Sequence, residues 1–274
     1  RLRLIDAYDR LCLTLHSSGK PLAMEEPARR ALAHAEHLTT EDDSIPRYLD
    51  EIAKFSNLLA LIAYQQKKYG TAEKHTRRVC EIGEQCLTAD PKNTKHRQNL
   101  LSQTGNLVLL TQLAANYHAQ QQAIERLLQL DPDAPAGWNT MAWFLATCPD
   151  AKLRQAGRAV DLAKKAVARE PKNADFRGTL GAALVRAHDA KAAVKELGKS
   201  LEHCPKIDNN NAFARLFLTL AHHKLGNPKE AREAFDGAVR WLAEHEKTMD
   251  DQHRASLRHL HTDAAAALGL TLPK

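Results

Sequence analysis

The chain has 274 residues, of which 43% are hydrophobic, 26% charged and only 5% aromatic. This composition excludes global disorder, and the abundance of alanine and leucine with few β-branched runs favours helix. The formal net charge of +6 is too small to identify a nucleic-acid binder by itself, and no run of about 18 uncharged apolar residues predicts a membrane span.

The five cysteines are too widely spaced to indicate a disulfide framework or a zinc site. Their number is odd and no C-x-x-C pair occurs, so we expect single buried thiols in a reducing compartment, which favours a cytoplasmic protein. The first residue is Arg1 rather than Met, which predicts a fragment or processed form with further domains upstream.

The N-terminal half contains three predicted pairs of amphipathic helices, to which we assign 1–134. In the first pair, apolar residues recur at helical spacing between Tyr8 and Leu15. The second pair contains LLALIAYQQKKYGTAEKH. The third is the most irregular, because Gln120 occupies a position where a small residue is expected.

The C-terminal half repeats the pattern more clearly. The segment NADFRGTLGAALVRAHDAKAAVKELGKSLEHCP reads as two amphipathic helices, in which Gly181 and Ala193 are small because two helices cross closely only where side chains are short. The segments before and after it have matching apolar positions, so 135–248 is predicted to form three pairs. DDQHRASLRHLHTDAAAALG then predicts a capping helix within 249–274.

A proline follows the second helix of four pairs and is expected to separate that helix from the next, because it lacks the N–H that a helix interior needs. These residues are Pro91, Pro132, Pro171 and Pro205. The whole pattern resembles the tetratricopeptide repeat, with Leu180-Gly181-x-x-Leu184 in the first helix, Ala193-x-x-x-Leu197 in the second, and Arg177 in place of a tryptophan. The resemblance implies an all-α right-handed superhelix, one continuous solenoid of about six helix pairs plus the capping helix.

The segment NTMAWFLATCPDAKLRQAGRAVDLAKKAV resembles repeat arrays attached to large bacterial Ser/Thr protein kinases, typically of planctomycetes. That resemblance implies the interaction module of a signalling protein rather than a kinase domain, because the glycine-rich loop, H-R-D and D-F-G are all missing. The wider spacing in the N-terminal half resembles kinesin-light-chain repeats, whose second helices are about two turns longer.

The tetratricopeptide resemblance implies that first helices line a concave groove, which binds a peptide or protein segment. Trp143 lies about 140° around its helix from the predicted core residue Trp138 and is expected to anchor a partner. Asparagine side chains there can both donate to and accept from a peptide backbone. The predicted groove residues are Asn57, Leu61, Tyr64, Asn139, Trp143, Arg186, His223 and Lys224. The predicted function is therefore a non-catalytic scaffold for protein–protein interaction, with no cofactor and no metal.

Two other functions stay open. The first is binding of nucleic acid or an acidic partner by a basic convex face of second helices, with Lys164, Lys165, Lys195 and Lys199. The second is a thiol enzyme at Cys148, although Asp150 close by would raise the thiol pKa rather than lower it. We expect CPDAKLR to be an insert between two helices, with Asp150 capping a short turn. His34 and His37 have metal-like spacing but no identifiable third ligand.

Overall fold

The computed structural model describes residues 2–41, 46–204, 210–245, 247, 249 and 251–270. Over these residues the chain forms thirteen α-helices and two short 3₁₀ turns, and no strand. It divides into two compact units, Arg1–Leu130 and Asp131–Lys274, called unit 1 and unit 2 below. Pro205 and the end of the predicted capping segment, 271–274, lie outside the described residues.

The described residues of unit 1 form six helices: α1 (Leu2–Ser17), α2 (Glu25–Glu41), α3 (Pro46–Gln65), α4 (Tyr69–Ala89), α5 (Thr94–Leu113) and α6 (Tyr117–Leu130). Those of unit 2 form the other seven: α7 (Pro135–Thr147), α8 (Ala156–Arg169), α9 (Ala174–Arg186), α10 (Ala190–His203), α11 (Asn210–Lys224), α12 (Pro228–His245) and α13 (Asp251–Ala267). In the described part of each unit, odd-numbered helices are the first members of pairs and even-numbered helices the second.

The two units pack their first helices differently. In unit 2, α9 packs against both α7 and α11, and α13 packs against α11, so first helices touch one another. In the described part of unit 1, α3 and α5 pack on their neighbours in sequence and make little contact with each other. Side chains on the outer face of α3 therefore have less cover than those on α9.

A left-handed residue ends most first helices and marks the repeat register. The N–H of the residue that follows it donates to the carbonyl oxygen five positions earlier, at 2.8–3.0 Å. This bond satisfies a carbonyl at the helix end that has no partner within the helix. These residues have φ between 55° and 73° and follow α1, α3, α5, α9, α11 and α13: Gly19, Lys67, Ala115, His188, Gly226 and Gly269. Because α13 ends in the same way, it has the C-terminal geometry of another first helix.

Replacing Ala115 by glycine should stabilise unit 1 by about 0.5–1 kcal/mol, because a side chain at φ 55° is strained and glycine is not. Slower amide hydrogen exchange across α5 and α6 would show it. Ala114→Gly is the matched control: Ala114 has φ −79°, so glycine there relieves nothing and should not stabilise. Equal effects of the two changes would contradict the expected strain.

Asparagines and proline carbonyls organise the start of first helices, a feature that the sequence reading missed. The side chain of Asn173 accepts from Asp175 N and Phe176 N at 3.0 and 3.2 Å and so caps α9. Trp138 Nε1 donates to Pro132 O at 2.9 Å, and Arg177 Nε donates to Pro171 O at 2.7 Å. Arginine can thus take the place of tryptophan, because each side chain presents an N–H to the carbonyl of the proline six residues before it.

The α7–α8 connection has an insert, as predicted. Asp150 Oδ1 accepts from Lys152 N at 2.9 Å and starts the 3₁₀ turn Ala151–Leu153. Gln155 N then donates to Leu145 O at 3.1 Å, across ten positions, whereas the corresponding closing bond after α9 spans five. The insert therefore adds five residues without losing the bond that closes the turn.

The longer N-terminal repeats were only partly predicted. The second helix α4 has 21 residues against 14 in α8, but the first helices α3 and α5 are also long, with 20 residues each against 13 in α7 and α9. The two extra turns expected of second helices are therefore present in α4 but not in α6, which has 14 residues, and the long first helices were not predicted. Among the helices described, none combines the length and apolarity that crossing a bilayer requires.

Candidate peptide-binding groove

In unit 1, the predicted groove residues lie together on one face of α3. Asn57 is half-buried, while Leu61 and Tyr64 expose 53% and 42% of their surface. The spacing of the three residues is that of one helix face. The ring of Tyr69, at the start of α4, lies 5.9 Å from that of Tyr64. This group, Asn57, Leu61, Tyr64 and Tyr69, is called the α3 patch below.

In unit 2, the predicted anchor Trp143 is packed within the protein. Its half-buried ring meets Phe213 and Phe217 of α11 edge-on, with ring centroids 5.1 and 6.1 Å apart. Such aromatic contacts contribute about 0.5–1.5 kcal/mol beyond burial. Part of Trp143 therefore stabilises the repeat stack, and only its remaining surface could meet a partner. Trp138, predicted to be core, is half-buried.

Asn139 lies one turn before Trp143 on α7 and has an unpaired acceptor. Its side-chain oxygen Oδ1 is buried and receives no hydrogen bond from the described residues. An unsatisfied buried acceptor costs roughly 1–3 kcal/mol, so the Asn139 side chain would gain a hydrogen bond by turning outward to meet a peptide N–H.

The basic residues predicted for the groove hold carbonyls of the preceding repeat. Arg186 Nε donates to Ala146 O at 3.2 Å, and Lys224 Nζ donates to Val185 O at 2.9 Å. These two bonds occupy equivalent places one repeat apart, at the C-terminal ends of α7 and α9. His223, beside Lys224, is exposed. The structure therefore groups Asn139 with Trp143 on α7, and Arg186 with Lys224 at the helix ends.

Several residues near these sites were not predicted. They are Phe213 and Phe217 around Trp143, and Arg154 and Asp263 around Arg186. Aligning the helix ends by their left-handed residues would have shown that cations recur at Arg186 and Lys224. No comparable pattern marks the phenylalanines, which lie two repeats away from the ring they contact.

The alternative sites differ in how far the geometry agrees with them. Lys164, Lys165 and Lys195 are exposed on second helices, and Lys199 pairs with Glu196 at 3.2 Å. His34 stacks on Tyr8, with ring centroids 6.0 Å apart. Within the described part of the chain, His, Cys, Asp and Glu side chains form no cluster that could hold a metal ion.

Cys148 should react slowly with alkylating agents. The residue is 3% exposed, and burial is the main cause that raises the pKa of its thiol. A hydrogen bond from the Asp150 backbone lowers that pKa in part, while the smaller effects of the Asp150 charge and of Arg154 raise and lower it respectively. We expect iodoacetamide at neutral pH to label Cys148 at least about tenfold more slowly than a free-thiol peptide, measured by peptide mass spectrometry. The half-buried Cys86 is an internal control and should react sooner. Faster labelling than the free peptide would restore the thiol-enzyme hypothesis.

Solved structures share this helix-pair architecture. A tetratricopeptide repeat protein from Parabacteroides merdae ATCC 43184 matches with a TM-score of 0.59 at 11% identity, over 97% of this chain and 98% of that one. BtubC (BKLC) from P. vanneervenii matches with a TM-score of 0.54 at 15% identity, over 84% and 94%. MamA, residue 41 to the end, from Desulfovibrio magneticus RS-1 matches with a TM-score of 0.50 at 14% identity, over 73% and 97%.

At these identities the likeness shows the fold, and it confirms the predicted all-α tetratricopeptide-repeat class. No protein-family model and no curated protein sequence matches the chain.

Proposed function

We propose that the protein is a non-catalytic scaffold that binds a peptide or protein segment on its first helices. The observation that carries this proposal is the α3 patch, where the large apolar side chains of Leu61 and Tyr64 are exposed to solvent on the same helix face as the amide of Asn57. Clustered exposed apolar side chains with a polar neighbour are typical of protein interaction sites. Asn139, whose Oδ1 receives no hydrogen bond from the described residues, gives a second contact region on α7 if its side chain turns outward to the peptide.

Selected peptides can test the proposal directly. Random peptides displayed on phage would be panned against the full chain, and the affinity of the selected peptides measured by calorimetry. Leu61→Ala should weaken binding at least about tenfold, because truncating an interface anchor costs more than 1 kcal/mol. Asn139→Ala should weaken the binding of peptides that contact unit 2, because the side-chain oxygen that would accept from the peptide backbone is lost.

Leu13→Ala is the matched control for Leu61→Ala. Leu13 is 62% exposed on α1, outside the α3 patch, so its truncation removes the same side chain from a surface with no assigned role. Its effect should stay within about twofold. Peptides that bind the Leu61, Tyr64 and Asn139 alanine variants as tightly as the parent protein would place the binding surface elsewhere.

The wider role that we propose is recruitment within a larger cytoplasmic signalling protein. The support for it is the resemblance of NTMAWFLATCPDAKLRQAGRAVDLAKKAV to arrays attached to Ser/Thr kinases. Reading the gene upstream of Arg1 tests it: a kinase domain in the same frame would support recruitment, and a stop codon with no such domain would remove this part of the proposal.

A further inference from the structure

Three basic side chains lie along the C-terminal ends of the first helices in unit 2. They are Arg154 from the insert, Arg186 from α9 and Lys224 from α11, and are called the cation row below. Arg154 Nε donates to Cys148 O at 2.5 Å, just beyond the end of α7. With the carbonyl bonds of Arg186 and Lys224, each cation is fixed against the end of the preceding first helix.

The cation row has an excess of positive charge. Over the described residues, its one paired carboxylate is Asp263 of α13, whose Oδ2 lies 3.4 Å from Arg186 Nη2. Asp263 is 51% exposed, whereas the Arg186 side chain is only 26% exposed. Burial lowers the pKa of Arg186, with a further decrease from Arg154 that Asp263 opposes. Burial and then Arg186 likewise lower the pKa of Lys224. An additional anion would therefore be favourable.

We propose that the cation row binds an acidic segment of the partner, and that Asp263 is an internal competitor for Arg186. This inference rests on the proposed function and specifies the chemistry of the bound segment. The contact between Arg186 and Asp263 shows that a carboxylate can reach the guanidinium. A partner carboxylate would replace it and form the same charge-assisted hydrogen bond.

The helix spacing predicts where the acidic residues should lie in such a segment. Packed helices are about 8–10 Å apart, so cations on successive first helices are separated by roughly that distance. A polyproline II segment rises about 3.1 Å per residue with three residues per turn, which places every third side chain on one face about 9 Å apart. The preferred segment is therefore extended, with Asp or Glu at every third position.

Nucleic acid fits the cation row less well than an acidic peptide. Phosphate backbones are bound mainly by many Lys and Arg side chains that together neutralise a continuous chain of charge. Here the side chains are fixed to carbonyls, and Arg186 is largely buried. The row therefore offers a few placed charges rather than a continuous basic surface.

The test uses the full-length chain and a fluorescein-labelled peptide of four Glu-Pro-Pro repeats, with binding measured by fluorescence anisotropy. Asp263→Asn removes the competing carboxylate and should tighten binding about threefold or more, a gain that misfolding could not produce. Arg186→Gln and Lys224→Gln should each weaken binding about tenfold. Lys165→Gln, which removes an exposed charge on α8, is the matched control and should change affinity less than about twofold.

Peptide controls separate specific from general attraction. A Gln-Pro-Pro peptide should not bind, and a peptide with the same composition but adjacent glutamates should bind more weakly. The inference is overturned if Asp263→Asn leaves affinity unchanged, if Arg186→Gln has no larger effect than Lys165→Gln, or if a thymidine oligonucleotide binds more tightly with the same dependence on Arg186. If the Glu-Pro-Pro experiment gives one of these results while Leu61→Ala still weakens the binding of phage-selected peptides, this inference is rejected and the proposed function stands.

Discussion

Replacing Gly181 by alanine should lower the free energy of unfolding of unit 2 by about 2–3 kcal/mol. A Cβ at this position would lie 2.4 Å from Leu197 Cγ and 2.6 Å from Cδ2. Leu197 is fully buried on α10 and cannot move aside without disturbing the pair α9–α10. The gain in helix propensity from glycine to alanine, about 1 kcal/mol, is too small to offset this overlap.

Unit 2 offers a control and a convenient measurement. Gly198 lies on α10 with nothing within 4 Å of an added Cβ, so Gly198→Ala should raise stability by about 0.5–1 kcal/mol. All three tryptophans, Trp138, Trp143 and Trp241, lie in unit 2, so their fluorescence during urea unfolding reports on that unit. Similar changes for the two glycines would show that no close approach exists at Gly181.

A double-mutant cycle isolates the contact itself. Leu197→Ala alone should cost about 2–5 kcal/mol through the cavity that it leaves. With Gly181→Ala also present, the new methyl group fills part of that cavity, so the double variant should cost less than the sum of the single changes. Strict additivity would contradict the overlap that the geometry requires.

The close crossing at Gly181 could be predicted from sequence because short-range patterns express it. A small residue at a fixed place in a repeated helix pair indicates that two helices cross closely there. The same repeat pattern places Leu197 on the apolar face of the second helix. The turn at Asp150 was predictable for a similar reason, since a capping side chain acts within a few residues.

Contacts between repeats could not be predicted in the same way. Helical spacing predicted that Trp143 lies on the groove-lining face of its first helix. Nothing in that spacing indicates that its ring would contact Phe213 and Phe217 two repeats later. The contact depends on how far each helix pair rotates relative to the next. The pairing of Arg186 with Asp263, 77 positions away, has the same origin.

The α3 patch shows how packing decides exposure at equivalent sequence positions. Leu61 and Trp143 were both predicted to face a groove. Trp143 lies where first helices pack together, so other rings partly cover it, whereas α3 packs little against α5 and Leu61 remains 53% exposed. Separation between helices is set by many side chains at once, and a residue-by-residue reading cannot recover it.

Replacing Glu196 by alanine should destabilise unit 2 by about 3 kcal/mol or more. Glu196 on α10 pairs with Arg177 on α9, and the two side chains are only 15% and 13% exposed. Arg177 stays in place through its bond to Pro171 O. The alanine variant therefore leaves a largely buried guanidinium without its counter-charge, and the desolvation cost of that charge is no longer offset.

An exposed ion pair provides the matched comparison. Asp236 pairs with Arg232 at 2.9 Å on α12, but these side chains are 41% and 56% exposed, so Asp236→Ala should cost less than about 1 kcal/mol. Tryptophan-monitored urea unfolding measures both variants. The double variant Arg177→Met with Glu196→Leu should recover much of the lost stability, because apolar side chains of similar size remove the unpaired charge. If Glu196→Ala lowers the free energy of unfolding no more than Asp236→Ala does, water must reach Arg177 freely. The contribution of Arg177 would then be limited to its hydrogen bond to Pro171 O, the bond that a tryptophan makes in the preceding repeat.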